Sequence, residues 1–341
     1  MFASGKRDMQ ANGRLCPWNT AQNILVQHSI RMRAASTLAP ELPQAIRHHF
    51  PFASRFMRVN GQRMHYVDEG AGDPVLLLHG NPTWSFLYRK FLPPLVAAGY
   101  RVIAPDHIGF GLSERPAREH DFSLENHIAN LAQFIRQLGL ARLTVVCQDW
   151  GGPTGLACAV LNPAAFKAIV VMNTWAWPEP STFHSSVFPW RMMHAPVVGP
   201  YLFQRRNILI ECELYLSAVH RERFVEEALP AYRFVMPDYD GRLLTRVFPR
   251  LIPLQSDDRA AATLRWLEQS LRSTKIPALI VWGREEIVFP ADCAQRFKTL
   301  LPQAKGPLWV TGSHFLQEDS PQEICAHILE FLRDLDCPRQ P

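Results

Sequence analysis

The chain has 341 residues, of which 47% are hydrophobic and 20% charged, with 28 prolines and 18 glycines. This composition is typical of a globular protein that can bury a large core, and it excludes the disordered and fibrous classes. The seven cysteines are scattered without a C-x-x-C pair, and no run of about 18 apolar residues occurs, so the sequence predicts a cytoplasmic protein with free thiols and no membrane span.

The net charge of +5 lies mostly at the N-terminus. Against Asp8 alone, residues 1–36 carry the basic side chains Lys6, Arg7, Arg14, Arg31 and Arg33. The rest of the chain is close to neutral, which argues against the clustered basic surface that nucleic-acid binding needs. We expect residues 1–50 to form a basic arm that is partly disordered.

Short predicted strands begin after Pro51. Asn60-Gly61, a dipeptide that readily takes the two positive φ angles of a type I′ turn, joins the first two. The later runs are continuously apolar, which is typical of strands buried on both faces. The predicted strands are Phe56–Val59, Arg63–Val67, Pro74–Leu78, Arg101–Ala104, Leu143–Cys147, Ile169–Met172, Ala278–Trp282 and Leu308–Val310.

Helices are predicted between these strands. Apolar residues from Leu124 to Leu138 recur at helical spacing, with Ser123 as the N-cap and Gly139 just past the end. The repeat predicts an α/β fold with a mostly parallel sheet flanked by helices. After Met172 the strands stop for about a hundred residues, which indicates a helical cap over the carboxyl ends of the strands. The predicted organisation is an arm (1–50), a core in two parts (51–173 and 256–341) and an inserted cap (174–255).

Cys147-Gln148-Asp149-Trp150-Gly151-Gly152 follows an apolar strand and precedes a helix. The pattern of small residues around a central side chain is that of a nucleophile elbow, with Asp149 at its centre. A carboxylate there can attack an alkyl carbon and form an ester that water must hydrolyse. An aspartate that merely caps the following helix is the alternative interpretation.

Hydrolysis of such an ester needs a base. His314 lies just beyond the last predicted strand, where its loop can bring the imidazole over the elbow. An acid that orients this histidine is expected after the preceding strand; Glu286 is the first choice and Glu285 the alternative. The order nucleophile, acid, histidine is that of the α/β-hydrolases.

His79-Gly80-Asn81 ends an earlier strand, and a backbone amide of this loop could hold an oxyanion together with that of Trp150. The Asn81 amide and the Trp150 indole are neutral donors suited to a leaving anion. No dinucleotide, Walker A or H-E-x-x-H motif occurs, so no cofactor or metal is expected. Aromatic residues of the cap are candidates for the apolar substrate pocket: Trp175, Trp177, Phe183, Phe188 and Trp190.

From about Pro51 to Leu335 the sequence resembles the haloalkane dehalogenases of the α/β-hydrolase superfamily. The resemblance is carried by HGNPTWSFLYR, APDHIGFGLS, QDWGG and GSHFLQED. It implies an eight-stranded α/β-hydrolase fold, Asp149 as nucleophile, His314 as base, and Asn81 and Trp150 as halide ligands. The family acid is usually aspartate, so Glu286 is a departure; the other family location for an acid holds Asn173, which cannot ionise.

The implied reaction is hydrolysis of a haloalkane to alcohol and halide, with a small apolar substrate and water as the partners. The β-lactone decarboxylases of bacterial olefin synthesis share the motifs and are one alternative. Epoxide hydrolases share the D-W-G core and are another. They need cap tyrosines, available here as Tyr201, Tyr215, Tyr232 and Tyr239, but usually carry an aromatic residue in place of Asn81. A non-enzymatic binding module is disfavoured, because it has no need of a carboxylate at a strained elbow.

Overall fold

An eight-stranded sheet lies at the centre of the computed structural model, which describes residues 40–116, 118–178, 192–253 and 257–337. The strand order is β1-β2-β4-β3-β5-β6-β7-β8; β2 runs antiparallel to its neighbours β1 and β4, and the other neighbours pair in parallel. The prediction of a mostly parallel eight-stranded sheet is therefore confirmed. The strands are β1 Arg55–Val59, β2 Gln62–Glu69, β3 Pro74–Leu78, β4 Arg101–Pro105, β5 Leu143–Gln148, β6 Phe166–Met172, β7 Ala278–Gly283 and β8 Ala304–Val310.

Two strand boundaries illustrate how local chemistry sets the sheet. Asn60 and Gly61 have φ angles of +46° and +82°, as the type I′ turn between β1 and β2 requires. Strand β8 starts four residues before its predicted beginning at Leu308, because Lys305, Gly306 and Pro307 interrupt the apolar run. An edge strand tolerates such residues, since one side of it needs no partner.

Helices cover the sheet in two groups. The helix Leu124–Gln137 begins as predicted, with the Ser123 hydroxyl accepting the Asn126 N–H at 3.1 Å. It packs with two further helices, Gly151–Leu161 and Arg259–Leu271. The second group comprises Leu92–Ala97, Ala291–Leu300 and Pro321–Asp336. Shorter helices at the edges of the core are Gln44–His49, within the predicted basic arm, and Leu316–Asp319, and single 3₁₀ turns are Ser85–Tyr88, Glu119–Asp121 and Pro163–Ala165.

A helical insertion (residues 192–253) separates β6 from β7. No strand occurs in it, which agrees with the helical character predicted for this segment. No helix in the described ranges is long and apolar enough to cross a membrane. The helices and helical turns of the insertion are Pro200–Arg205, Leu209–Glu213, Leu214–Leu216, Arg221–Glu227, Leu229–Phe234, Leu243–Val247 and Pro249–Leu251.

A buried ion pair of the core accepts a hydrogen bond from the insertion. Arg89 donates to both carboxylate oxygens of Glu318, at 2.6 and 2.8 Å, and the side chains are 2% and 3% exposed. The Tyr232 hydroxyl, from the insertion, donates to Glu318 Oε1 at 3.1 Å. Although burial opposes ionisation, the Arg89 guanidinium lowers the pKa of Glu318 below its usual range. The pair therefore stays charged at neutral pH.

We predict that Glu318→Ala lowers the free energy of unfolding by about 3–5 kcal/mol, because it removes the bidentate partner of the buried Arg89 charge and leaves only the more distant Glu227 carboxylate, at 3.7 Å. Urea denaturation at pH 7 measures the change. Asp334→Ala is the matched control: its pair with Lys305 is 48% and 42% exposed, so a loss within about 1 kcal/mol is expected. Equal losses in the two variants would contradict the prediction.

Candidate active site

The backbone turns sharply at Asp149, between the end of β5 and the helix that begins at Gly151. Asp149 has a φ angle of +50°, a conformation that few residues other than glycine adopt. The turn brings the chain so close to its neighbours that side chains do not fit. A Cβ atom on Gly80 would lie 1.9 Å from Asp149 Oδ1, and one on Gly151 would lie 2.2 Å from the Leu78 carbonyl oxygen. The local geometry is that of a nucleophile elbow.

Two backbone N–H groups donate to the Asp149 carboxylate. The Asn81 N–H donates to Oδ1 at 2.7 Å, and the backbone N–H of Trp150 also bonds the carboxylate. Burial raises the pKa of Asp149 above its ordinary value, while the neighbouring His314 and these two amides act against that rise. The two amides predicted to hold an oxyanion thus converge on the carboxylate of the elbow.

His314 connects Asp149 to Glu286. Its Nε2 atom lies 3.7 Å from Asp149 Oδ2, and its Nδ1 atom lies 3.0 Å from Glu286 Oε2. The other oxygen of Glu286 accepts the backbone N–H groups of Val288 and Phe289, at 2.5 and 3.2 Å. The structure therefore brings the three side chains proposed from sequence into one chain of polar contacts.

Glu285, the alternative acid, points elsewhere. Its Oε2 atom accepts the Gly312 N–H at 2.8 Å, and its own backbone N–H donates to the Gly312 carbonyl at 3.1 Å. It thereby braces the backbone of the loop that carries His314, whereas Glu286 contacts the imidazole.

Two residues of the site were not assigned a role from the sequence. Gln148 Nε2 lies 3.2 Å from His314 Nε2 and donates to the His314 carbonyl at 3.1 Å. Asn173, which has a φ angle of +32°, donates to the Ser313 carbonyl at 2.8 Å and accepts the Gly283 N–H at 3.0 Å. Its own carbonyl accepts the Asp149 N–H at 3.0 Å. Their positions in the sequence could have indicated a role, because Gln148 ends β5 directly before Asp149 and Asn173 directly follows β6.

Buried polar groups fix the loop that carries Asn81. Neutral His79 donates through Nδ1 to the Gly80 carbonyl at 2.8 Å, and its Nε2 accepts the His107 N–H at 2.9 Å. Burial lowers the pKa of His79, which favours this neutral form. Asp106 accepts the Ser85 N–H at 2.8 Å, so it holds the other end of the loop. His79 is placed to position the loop rather than to react.

Aromatic rings surround Trp150. The Trp175 ring packs edge-to-face against it, with the two ring centroids 4.7 Å apart. The ring centroid of Phe248, from the insertion, lies 4.5 Å from that of Trp150. Trp177, by contrast, packs on Phe297 and Arg296 of the helix Ala291–Leu300. Of the other predicted pocket residues, Phe183, Phe188 and Trp190 lie outside the described residues. Phe248 is a neighbour of Trp150 that the sequence did not single out.

The side-chain donors of Asn81 and Trp150 remain uncommitted. In the ranges that the structure describes, neither the Asn81 Nδ2 group nor the Trp150 indole N–H contacts a hydrogen-bond acceptor. Both residues lie against Asp149, since one donates to its carboxylate and the other follows it in the chain. Over the same ranges no group of three or more His, Cys, Asp or Glu side chains is arranged to hold a metal ion.

A family model for the α/β-hydrolase fold matches residues 73–321. Haloalkane dehalogenase 2 of Mycobacterium tuberculosis is 37% identical over 282 residues, which cover 82% of this chain and 95% of that protein. The haloalkane dehalogenase of Psychrobacter cryohalolentis is 34% identical over 279 residues, 80% of this chain and 88% of that protein. The chain therefore belongs to the haloalkane dehalogenase family of the α/β-hydrolase fold.

Two further comparisons bear on the site. A cis-3-alkyl-4-alkyloxetan-2-one decarboxylase of Shewanella oneidensis is 31% identical over 289 residues, 84% of this chain and 90% of that protein. The crystal structure of haloalkane dehalogenase DbeA from Bradyrhizobium elkani superposes with a TM-score of 0.77 at 25% identity, covering 84% of this chain and 99% of that one. The chain is thus also similar to a protein named for a reaction other than dehalogenation.

We predict that Asp149→Asn stabilises the protein at pH 7, by about 0.5–2 kcal/mol. Because the pKa of Asp149 is raised in the folded state, the folded protein holds this proton more tightly than the unfolded chain does. The contribution of Asp149 to stability is fully present below its pKa of 3.8 in the unfolded chain. It is lost as the pH rises from there through the raised pKa of the folded protein. The amide cannot ionise, so the advantage of the variant grows with pH.

Urea unfolding of both proteins between pH 4 and pH 8 measures this advantage. Asp73→Asn is a control of opposite sign, because hydrogen bonds from Arg142 lower the pKa of Asp73. An Asp149→Asn variant that is less stable than the wild type at pH 7 would refute the prediction.

Proposed function

We propose that the protein hydrolyses haloalkanes to an alcohol and a halide ion through a covalent ester on Asp149. The observation that carries the proposal is the position of the Asp149 carboxylate: Oδ1 accepts the backbone N–H of Asn81, and Oδ2 lies 3.7 Å from His314 Nε2. Relatives that are 37% and 34% identical over the aligned residues are named haloalkane dehalogenases. The nearly neutral body of the chain suits an uncharged substrate.

In the first step, Asp149 Oδ2 attacks the carbon that bears the halogen, because Oδ1 is engaged by the Asn81 amide. The oxygen–carbon bond forms as the carbon–halogen bond breaks, and the bond pair leaves with the halide. The Trp150 indole and the Asn81 side-chain amide stabilise the departing anion as hydrogen-bond donors. Alignment of the reactants and these preorganised donors provide most of the rate enhancement.

In the second step, His314 Nε2 takes a proton from water, whose oxygen attacks the carboxyl carbon of the ester. The backbone amides of Asn81 and Trp150 hold the resulting oxyanion. Glu286 stabilises the imidazolium through the Nδ1–H bond. Collapse of the intermediate expels the alcohol, which takes the proton back from His314. Asp149 is left as a carboxylic acid that carries the second hydrogen of the water, and release of this proton to solvent restores the carboxylate.

Decarboxylation of a β-lactone is the second candidate. The Shewanella oneidensis relative, at 31% identity, supports it, and the same aspartate would serve as nucleophile. Epoxide hydrolysis is less well supported. Of the cap tyrosines that could protonate an epoxide, Tyr232 donates its hydroxyl to Glu318, and the other three are at least one third exposed: Tyr201, Tyr215 and Tyr239.

The decisive experiment offers the purified protein 1-bromobutane, a terminal epoxide and a long-chain β-lactone in separate reactions. Release of bromide, without diol or alkene from the other two compounds, is the expected result. Each product is measured directly, by a halide assay and by gas chromatography. Alkene formation with no bromide release would replace the proposed function by the second candidate.

We predict that His314→Phe completes the first step and stalls at the second, because the ester forms without a base but is not hydrolysed. After exposure to 1-bromobutane, intact-mass and peptide spectra should show a butyl adduct on Asp149, and turnover should fall at least 100-fold. The double variant Asp149→Asn/His314→Phe is the control and should stay unmodified. An unmodified His314→Phe protein, alongside an active wild type, would remove Asp149 from the nucleophile role.

A further inference from the structure

Two carboxylates flank the imidazole of His314. Glu286 Oε2 lies 3.0 Å from Nδ1, and Asp149 Oδ2 lies 3.7 Å from Nε2, and all three side chains are less than one tenth exposed. Each carboxylate favours the protonated imidazolium. The proposed reaction needs the neutral form, because an imidazolium would pair with the Asp149 nucleophile and would have no lone pair for the proton of water.

Gln148 is the neutral group that faces the same nitrogen. It is the last residue of β5, and its side chain is completely buried. Its amide nitrogen lies 3.2 Å from His314 Nε2 and 3.1 Å from the His314 carbonyl oxygen. The reverse amide orientation would place Oε1 against that carbonyl oxygen, acceptor against acceptor, so the N–H groups must face His314.

This contact is compatible with only one form of the imidazole. An amide N–H can donate to Nε2 only when Nε2 carries no proton, which leaves the proton on Nδ1, where Glu286 accepts it. In the imidazolium, the Nε2–H group would face the amide N–H groups of Gln148, donor against donor. The Asn173 side-chain amide also donates to the His314 carbonyl oxygen, at 3.3 Å, and this second hydrogen bond restricts movement of the His314 backbone away from Gln148.

We propose that Gln148 is a positioning residue that keeps His314 neutral, with its proton on Nδ1, between the two carboxylates. The inference rests on the proposed function for its catalytic meaning. By disfavouring the imidazolium, Gln148 leaves Asp149 without a cationic partner in the first step. In the second step water displaces the amide N–H from Nε2, because that nitrogen has a single lone pair.

The test compares the wild type with Gln148→Met, which removes both amide atoms and keeps an unbranched side chain of similar length. Loss of a hydrogen bond specific to the neutral form should raise the pH midpoint of His314 protonation by about half to one unit. Nitrogen-15 NMR of histidine-labelled protein follows that midpoint without any substrate, and His314→Phe identifies the resonances. Gln317→Met, at a second completely buried glutamine with no hydrogen bond to His314, should leave the midpoint unchanged.

The kinetic readout is the pH dependence of kcat/KM for bromide release, whose acidic limb should move to higher pH by the same amount in Gln148→Met alone. A wild type without bromide release would defeat the proposed function, and the NMR titration would still decide the role of Gln148. An unshifted midpoint in folded Gln148→Met overturns the proposal. If that variant does not fold, the wild-type spectrum decides: a proton on Nε2 of neutral His314 overturns the proposal, and a proton on Nδ1 supports it.

Discussion

The positive φ angle of Asp149 is the constraint on which the rest of the site depends, because it lifts the carboxylate above the sheet at the end of β5. The turn persists only where the surrounding chain has no side chains in its way. A Cβ atom on Gly152 would lie 1.9 Å from Thr174 Oγ1, and one on Gly80 would overlap Asp149 itself. Strain of this kind is held by the surrounding structure and is common where a group must be presented to a ligand.

Electrostatics explains why a carboxylate at such a turn needs partners. Burial disfavours its charge, and this raises the pKa of Asp149 despite the backbone amides that donate to it. A protonated His314 would satisfy that charge but would abolish its reactivity. The arrangement around the imidazole instead places one carboxylate on the Nδ1 side and a neutral amide with a second carboxylate on the Nε2 side. Under the proposed function, this arrangement leaves the Asp149 carboxylate without a cationic partner.

The loop that carries His314 is also tied to the helical insertion. Asp319 Oδ2 accepts the Ser313 N–H at 3.1 Å, while Oδ1 accepts the N–H groups of Val219 and His220 at 3.0 and 3.1 Å. One buried carboxylate thus fastens the loop that carries His314 and the insertion to each other. Together with the hydrogen bond from Tyr232 to Glu318, it couples the insertion to this loop, so movement of one is expected to disturb the other.

The sequence by itself determined the fold class, the order of the strands along the chain and the candidate Asp149 and His314, because continuous apolar runs and small residues around a nucleophile are local patterns. The β8 start was missed, since Gly306 and Pro307 hide an edge strand. Only the tertiary structure decided between Glu285 and Glu286, or brought Gln148 and Asn173 to His314. Adjacent residues are equivalent in a linear pattern, and hydrogen bonds between residues some 140 to 166 positions apart exist only once parallel strands align their carboxyl ends.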